Sequence, residues 1–589
     1  MSQQLARVSA DLTELDRLLA QPVPAQPPTP QSYVPPAVHY GPPPAVHYAP
    51  RPAVHYAPPP QPVAPPLPVA PPAPRTPRDT NWIGKVLAVA GVVVTLVGVV
   101  LLLVLAAQAG ILRPEIRVGA GALLAGALVT AAARLDARPG GRVGAIALAA
   151  TGIAAVYMDV IAVTTIYHWL SAPVGLILAA LTGGGGLTMA RRWDSQQLGL
   201  LVLVPLIVLA PIVADGITML LIAFMLAISA ASLLVQLGKD WILLHAARIA
   251  ASTLPLLVAL VAARLGDGNE AWLAGACGIA TVLAIVGALI LLPSTANKVV
   301  MALLTAAGAL PVLFASIALA SMVAALMAAA LAGTLLAIVL VADRIPGVTK
   351  VVRWIWSAAS AVSALIAVTV AFDGEVAAPL LLGMAAVVAV AGRRDDAARF
   401  VAIGFGVIGG LLYVSYAPPS ALVRATLLST PDAVAVLASS TLLIAAVVAI
   451  VKSWIGRGVI GSDAVRVLLV CLALVVVYAV TTFTVTAGVL AGGESGGFFA
   501  GHMAATICWI AMAAALFVFA ARRARENRAL PIAGGLALVA GSMAKLFLFD
   551  LGTLDGMFRV AVFIVVGLVV LGMGAGYARM LAQQDQHGV

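Results

Sequence analysis

Five ionisable side chains sit in or at the edge of apolar stretches, where charge is expensive and therefore informative. Asp159 follows Tyr157 by two residues near the centre of the stretch 143–166, and His245 and Arg248 are three apart, hence on one helix face, in the stretch 241–263. Lys545 lies in the stretch 530–549, with Asp550 at its outer end. One chemistry open to these residues is a polar pathway in which Asp159 binds a cation or accepts a proton. The other is internal pairing, Asp159 with Arg248 and Lys545 with Asp550, since buried pairs are as often structural as active.

A second set flanks the stretches. Arg113, Pro114, Glu115 and Arg117 form a compact charged turn, Tyr167, His168 and Trp169 occupy the next connection on the same side, and Arg559 lies beyond Asp555 in the last one. Arg113, Glu115, Arg117, His168 and Arg559 have the chemistry to hold a sugar or lipid headgroup, while Tyr167 and Trp169 also read as interfacial anchors. Near the start, Ala-Val-His-Tyr recurs three times at a period of eight, ending in Tyr40, Tyr48 and Tyr56. Set in proline, these tyrosines suit multivalent docking into aromatic-lined grooves, and a repeat-expanded spacer is the plainer alternative. Single histidines eight apart are poor preorganised metal ligands.

Enzyme signatures are missing. No phosphate-binding Walker loop, HExxH helix or zinc-spaced cysteine pair occurs, and the Gly183–Gly186 run falls inside an apolar stretch rather than between a strand and a helix. Cys277, Cys471 and Cys508 all lie in apolar segments and read as small hydrophobes. The sequence therefore calls for no catalytic residue, cofactor or metal.

The elements that must position these residues follow from composition. Of 589 residues 62% are hydrophobic and only 10% charged, with mean hydropathy +1.07; a soluble domain carries roughly 25% charge. That balance excludes a soluble or secreted enzyme. The net charge of +10 is not clustered as nucleic-acid binding requires, so no nucleic-acid partner is expected. No secretory h-region precedes residue 81, which leaves the first membrane helix to direct insertion.

Four zones result. Residues 1–21 place Leu5, Val8, Leu12, Leu15 and Leu19 on an a/d seam too short to stand alone as a coiled coil. Residues 22–80 are a Pro-, Ala- and Val-rich linker expected to be disordered and extended. Residues 81–582 form the membrane domain, and 583–589 a short tail. The expected fold is an all-α integral membrane protein of about 18 transmembrane helices, within 16–20, in stretches of roughly 18–24 residues. With the N-terminus placed in the cytoplasm, the loops then facing inward hold twenty Lys and Arg residues and the opposite loops only five, Arg113, Arg117, Arg264, Arg424 and Arg559. The positive-inside rule thus puts both termini in the cytoplasm and leaves only short external loops.

Two landmarks carry a resemblance beyond composition: Asn81-Trp82-Ile83-Gly84 through Arg113-Pro114-Glu115-Ile116-Arg117-Val118, and Lys545-Leu546-Phe547-Leu548-Phe549-Asp550 through Arg559. With the Gly152–Tyr157 stretch they resemble a bacterial family of very polytopic membrane proteins known as a domain of unknown function, over roughly residues 81–581. The Pro- and Tyr-rich head with this body is similar to the actinobacterial polar growth factor type of mycolic-acid-bearing bacteria. That resemblance implies a non-enzymatic inner-membrane factor in polar cell-envelope growth, in contact with membrane lipids such as trehalose monomycolate and with the large exporter of that glycolipid. In this reading residues 1–80 recruit cytoplasmic polarity or elongation proteins. The resemblance carries over no catalytic residue, only Trp82, Pro114, Arg117, Tyr157, Lys545, Asp550 and Arg559 as landmarks. Two alternatives stand beside it: a secondary transporter routed through Asp159, Arg248 and Lys545 with helices interrupted at Pro205, Pro211, Pro255 and Pro311, and a membrane glycosyltransferase relying on Glu115.

Overall fold

The computed structural model describes residues 113–266, 271–455, 463–523 and 528–550, with isolated helical residues at Val94, Gly98, Val560, 563–569, Leu571 and Gly572. The chain divides into units Met1–Pro77 and Arg78–Val589, and every described residue belongs to the second. Trp82, Arg559, Tyr40, Tyr48 and Tyr56 lie outside the described residues, as do the zones 1–21 and 583–589 and most of the expected spans 86–107 and 557–581.

Among the described residues the fold is helical throughout, with no strand. In chain order the helices are α1 (Pro114–Asp136), α2 (Arg142–Ile161), α3 (Ala172–Arg192), α4 (Gln196–Val213), α5 (Met219–Gln236), α6 (Ile242–Leu265), α7 (Ala271–Leu291), α8 (Lys298–Gly308) and α9 (Leu310–Leu313). They continue as α10 (Ser321–Leu340), α11 (Lys350–Ala371), α12 (Gly374–Ala391), α13 (Asp396–Tyr416), α14 (Thr430–Ile455), α15 (Asp463–Gly492), α16 (Phe498–Ala521) and α17 (Ala529–Lys545). Among the described residues fifteen helical spans are long and apolar enough to cross a membrane, sixteen when the bent pair α8 and Leu310–Ile317 is counted as one span. Each corresponds to one of the stretches expected between 117 and 549, because a segment denied water must close its backbone hydrogen bonds internally. The protein is a multi-pass helical membrane protein.

The four prolines expected to interrupt helices behave differently. Pro205, Pro211 and Pro255 sit inside α4 and α6 without ending them, whereas Pro311 opens α9, where the pair α8 and Leu310–Ile317 is bent by 40°. Proline's missing N–H is tolerated in the middle of a packed membrane helix but marks the break where a new first turn begins.

Short connections join consecutive spans, with α8 and α9 counting as one, so the connections gather at two ends. The end expected to be basic is tied across its loops. Arg191 at the end of α3 donates from Nη1 to the carbonyls of Leu234 at 2.6 Å and Val235 at 2.9 Å, satisfying acceptors that α5 leaves open in its last turn. Arg142 likewise donates to the carbonyls of Trp193 and Asp194 after α3. Lys239 pairs with Asp194 at 2.7 Å, and Asp240 accepts from the Thr295 hydroxyl at 2.7 Å and the Ala296 amide at 3.1 Å. Asp194 itself is in the left-handed region at φ 47°, a conformation Asp tolerates better than most residues.

Small residues set the closest helix contacts. In the Gly183–Gly186 run, a Cβ at Gly183 would meet Leu206 and the Tyr157 hydroxyl, and one at Gly186 would meet Val202 and Ile153, while Gly184 and Gly185 face open space. The run is therefore a packing surface of α3. The α15–α16 hairpin is tighter: Gly488 and Gly492 on one side face Gly497 and Gly501 on the other, and a Cβ on Gly501 would stand 2.6 Å from the Val485 Cα and 2.7 Å from the Thr484 carbonyl oxygen.

Two outcomes follow. Gly501→Ala pushes backbone against backbone and destabilises by about 1–3 kcal/mol, read as a lower melting temperature of the purified protein; Gly278→Ala, whose Cβ would meet nothing within 4 Å, does not lower it. The hydrogen bond from Lys239 holds the Asp194 carboxyl below its ordinary value of 3.8. A depressed folded pKa stabilises above that ordinary value and loses its effect as pH falls through the lowered one. Asp194→Asn therefore flattens the fall in melting temperature between about pH 5 and 3, and an unchanged slope would show the pair to be energetically silent.

Candidate functional site

Asp159 lies near the end of α2, half-buried, with its carboxylate pressed onto Gly121 of α1: a Cβ there would fall against Oδ1 and lie 2.8 Å from Oδ2. The buried Oδ2 has no hydrogen-bond partner. Arg117, four residues before Gly121, stands on the same stripe of α1 one turn further out. Tyr157, two residues before Asp159, is turned into the core, 2% exposed, and donates to the Val202 carbonyl of α4 at 3.2 Å. That bond ties α2 to α4. Beyond Asp159 the helix widens into a π-helical turn, Ala162–Ile166. His168 follows at φ 54° with Nδ1 3.0 Å from the Thr164 carbonyl, and Tyr167 stacks on Trp169 at 5.0 Å. Arg113 and Glu115 are exposed at the start of α1, where Pro114 takes the first-turn position that needs no N–H.

His245 and Arg248 meet as their spacing requires, Arg248 Nη2 lying 2.9 Å from His245 Nδ1. Both are 0% exposed in the interior of the bundle. Arg248 lies against Gly287 of α7, where a Cβ would collide with the guanidinium. Asp159 is elsewhere, against α1, so the expected Asp159–Arg248 pairing is not what the fold builds.

Lys545 ends α17 and reaches α16, donating to the His502 carbonyl at 3.1 Å and the Thr506 hydroxyl at 2.8 Å. Asp550 closes the following π-helical turn, Leu546–Asp550. His502 is 3% exposed, stands edge-on to Phe498 at 4.5 Å, and has Nε2 3.1 Å from the Leu422 carbonyl. Leu422 and Phe498 both line a cavity of about 770 Å³ at the end of the bundle opposite the cross-tied loops. Lys545 therefore supports, through His502, the inner wall of that cavity.

The cavity lies between residues 416–428, the start of α14, the last turns of α15 and the start of α16. Its walls are mostly aliphatic, including Val436, Val485, Val489 and Leu490, and its polar side chains are Arg424, Thr426, Tyr416, Ser420, Thr482 and Thr486. A web of hydroxyls pins its floor. Tyr416 donates to Ser439 at 2.5 Å, Tyr413 shares a hydrogen bond with Ser440 at 2.8 Å, and Tyr478 donates to the Ala417 carbonyl. The Tyr413 ring stands edge-on to both Tyr416 and Tyr478 at 5.9 Å. Arg424 is exposed and makes no ion pair among the described residues. One cationic donor on an aliphatic chamber can take the headgroup of an amphiphile and the first part of its chains, the chamber being in the size range of ligand sites.

Sequence reasoning did not single out Arg424, Tyr416, Tyr478 or His502. One signal was available: Arg424 is one of five basic residues on the sparsely charged side and sits in a long connection there. Among the described residues no cluster of His, Cys, Asp and Glu has the arrangement to hold a metal ion. Comparison with protein-family models, with curated proteins and with solved structures finds no match for this chain.

Tyr478→Phe removes the bond to the Ala417 carbonyl, at a cost of about 1 kcal/mol. Amide exchange in residues 417–428 rises while that in α4–α6 stays unchanged; equal exchange in both regions would show that the web does not hold the cavity.

Proposed function

We propose that this protein is a non-enzymatic multi-pass membrane factor that receives an amphipathic lipid in the cavity around Arg424. The single observation that carries this reading is the union of an exposed, unpaired guanidinium with an aliphatic chamber of about 770 Å³ where α13–α16 end. The resemblance noted in the sequence supplies the finer content. The lipid is an envelope glycolipid of the trehalose monomycolate kind, the membrane is the bacterial inner membrane with both termini in the cytoplasm, and the setting is polar envelope growth beside the glycolipid's exporter. On the positive-inside assignment the cavity opens outward, the side on which an exported glycolipid would be met, and residues 1–80 are left to recruit cytoplasmic polarity proteins.

The alternatives find less support. Asp159, Arg248 and Lys545 occupy three separate neighbourhoods, against α1, α7 and α16, so no single coupling route joins them. Glu115 lies exposed in the first turn of α1, with no acidic partner brought to it by the described residues, and a glycosyl transfer assigned to it has no surrounding site.

The test is native purification in lipid nanodiscs with mass spectrometry of bound lipid, comparing wild type, Arg424→Ala and Thr486→Leu. A mycolate glycolipid enriched over a polytopic control and reduced several-fold in both variants is the expected result. Enrichment of another lipid that follows Arg424 would keep the cavity and replace the ligand. Lipid content unchanged by both variants would sink the reading.

A further inference from the structure

Among the described residues, no element packed closely against α6 supplies an anion for the charge on Arg248. The side chain is 0% exposed, and its Nε and Nη1 have no hydrogen-bond partner. α6 packs against α4, α5, α7, α8 and α9, and none of these helices contains an aspartate or glutamate; their titratable groups are Cys277 on α7 and Lys298 on α8. The nearest acid along the chain, Asp240, is committed to Thr295 and Ala296. An isolated buried guanidinium is among the least tolerable groups in a protein interior, and its pKa is too high for it to escape by losing a proton.

The surrounding polar atoms are biased the same way. Because Arg248 Nη2 can only donate, His245 Nδ1 must accept, which places the imidazole proton on Nε2. That Nε2–H is buried and unpartnered as well. Gln236, at the last turn of α5 beside the loop that leads into α6, is 1% exposed with both side-chain polar atoms unpartnered. Arg248 Nε and Nη1 are therefore buried donors with no acceptor of their own, and the missing Cβ of Gly287 leaves the guanidinium room to lie flat against α7.

We propose that Arg248, its Nη2 held by His245, forms with its free Nε and Nη1 an internal binding site for a small oxyanion, a carboxylate or phosphate group, between α5, α6 and α7. The oxyanion supplies several acceptor lone pairs and the negative charge that the neighbouring helices lack. The site lies about 9 Å from the start of α6, since Arg248 is six residues in at 1.5 Å each. It thus lies nearer the end of the bundle tied by Arg191, Lys239 and Asp240, and it is distinct from the Arg424 cavity.

The experiment uses the full chain purified in dodecylmaltoside, which carries no phosphate, at constant ionic strength with a bulky sulfonate buffer as the reference anion. Equilibrium dialysis with labelled inorganic phosphate or acetate is expected to show one equivalent bound per chain. The melting temperature should rise saturably by about 2 °C or more. Arg248→Met keeps the side chain's length but removes the charge; it should melt no lower than the anion-free wild type and bind nothing. Arg248→Lys should keep a weakened response. In phosphatidylglycerol nanodiscs, a wild type already stabilised before any ion is added identifies a lipid phosphate as the source, and a wild type that still responds to added phosphate identifies a free solute. No binding by wild type, undiminished binding by Arg248→Met, or an equal response to chloride would overturn the proposal.

Discussion

The structure depends on one constraint: the membrane interior offers no hydrogen bonds, so every polar group must find its partner within the protein. The hydroxyls show how this is met at the least expense. Thr151, Thr253, Thr281, Thr305, Ser363 and Ser542 each donate to the carbonyl four residues back on their own helix. Such residues are polar by composition yet silent in packing. Those that leave their own helix tie the bundle together, among them Ser229 to the Arg248 carbonyl, Ser360 to the Ala332 carbonyl, Tyr157 to the Val202 carbonyl and Trp509 to Thr481.

The same medium removes the hydrophobic drive between helices, so association rests on close van der Waals contact. Glycines provide it where backbones nearly touch, as in the Gly488, Gly492, Gly497 and Gly501 hairpin, and where a charged side chain needs a place to lie, as at Gly121 beneath Asp159 and Gly287 beneath Arg248. Both interior charges thus rest on glycine rather than on each other. A bundle whose charges were chosen for mutual pairing would bring acid to base; this one accommodates each in its own niche.

Those facts explain what was legible in the chain. Span positions were readable because hydropathy is a property of consecutive residues: the stretch expected over 143–166 is the helix that runs from Arg142 to Ile166, and that over 217–237 runs from Met219 to Gln236. The His245–Arg248 contact was readable for the same reason, being a three-residue spacing on one helix. The Arg424 cavity was not, because it gathers residues from 416 to 498, and no local pattern announces which helix ends converge. Asp159 and Arg248 share opposite charge but not a neighbourhood, which composition alone does not reveal. Pro311 likewise looks like Pro205 in sequence and differs only in marking a break that its surroundings permit.

The two ends of the bundle are built on opposite terms. At one, arginines and lysines serve as fasteners: Arg191 and Arg142 cap carbonyls of neighbouring helix ends, and Lys239 and Asp240 bind their loops across to Asp194 and Thr295. Basic residues concentrated there for topology are thereby consumed in structure. At the other end hydroxyl and aromatic contacts replace charge, and Arg424, released from any fastening role, stands on an aliphatic chamber. A cation costs little to keep at a membrane surface but gains value when it has something to hold. On the reading proposed above, the lipid is met at the sparsely charged end, while the charges of the other end fasten its loops to one another.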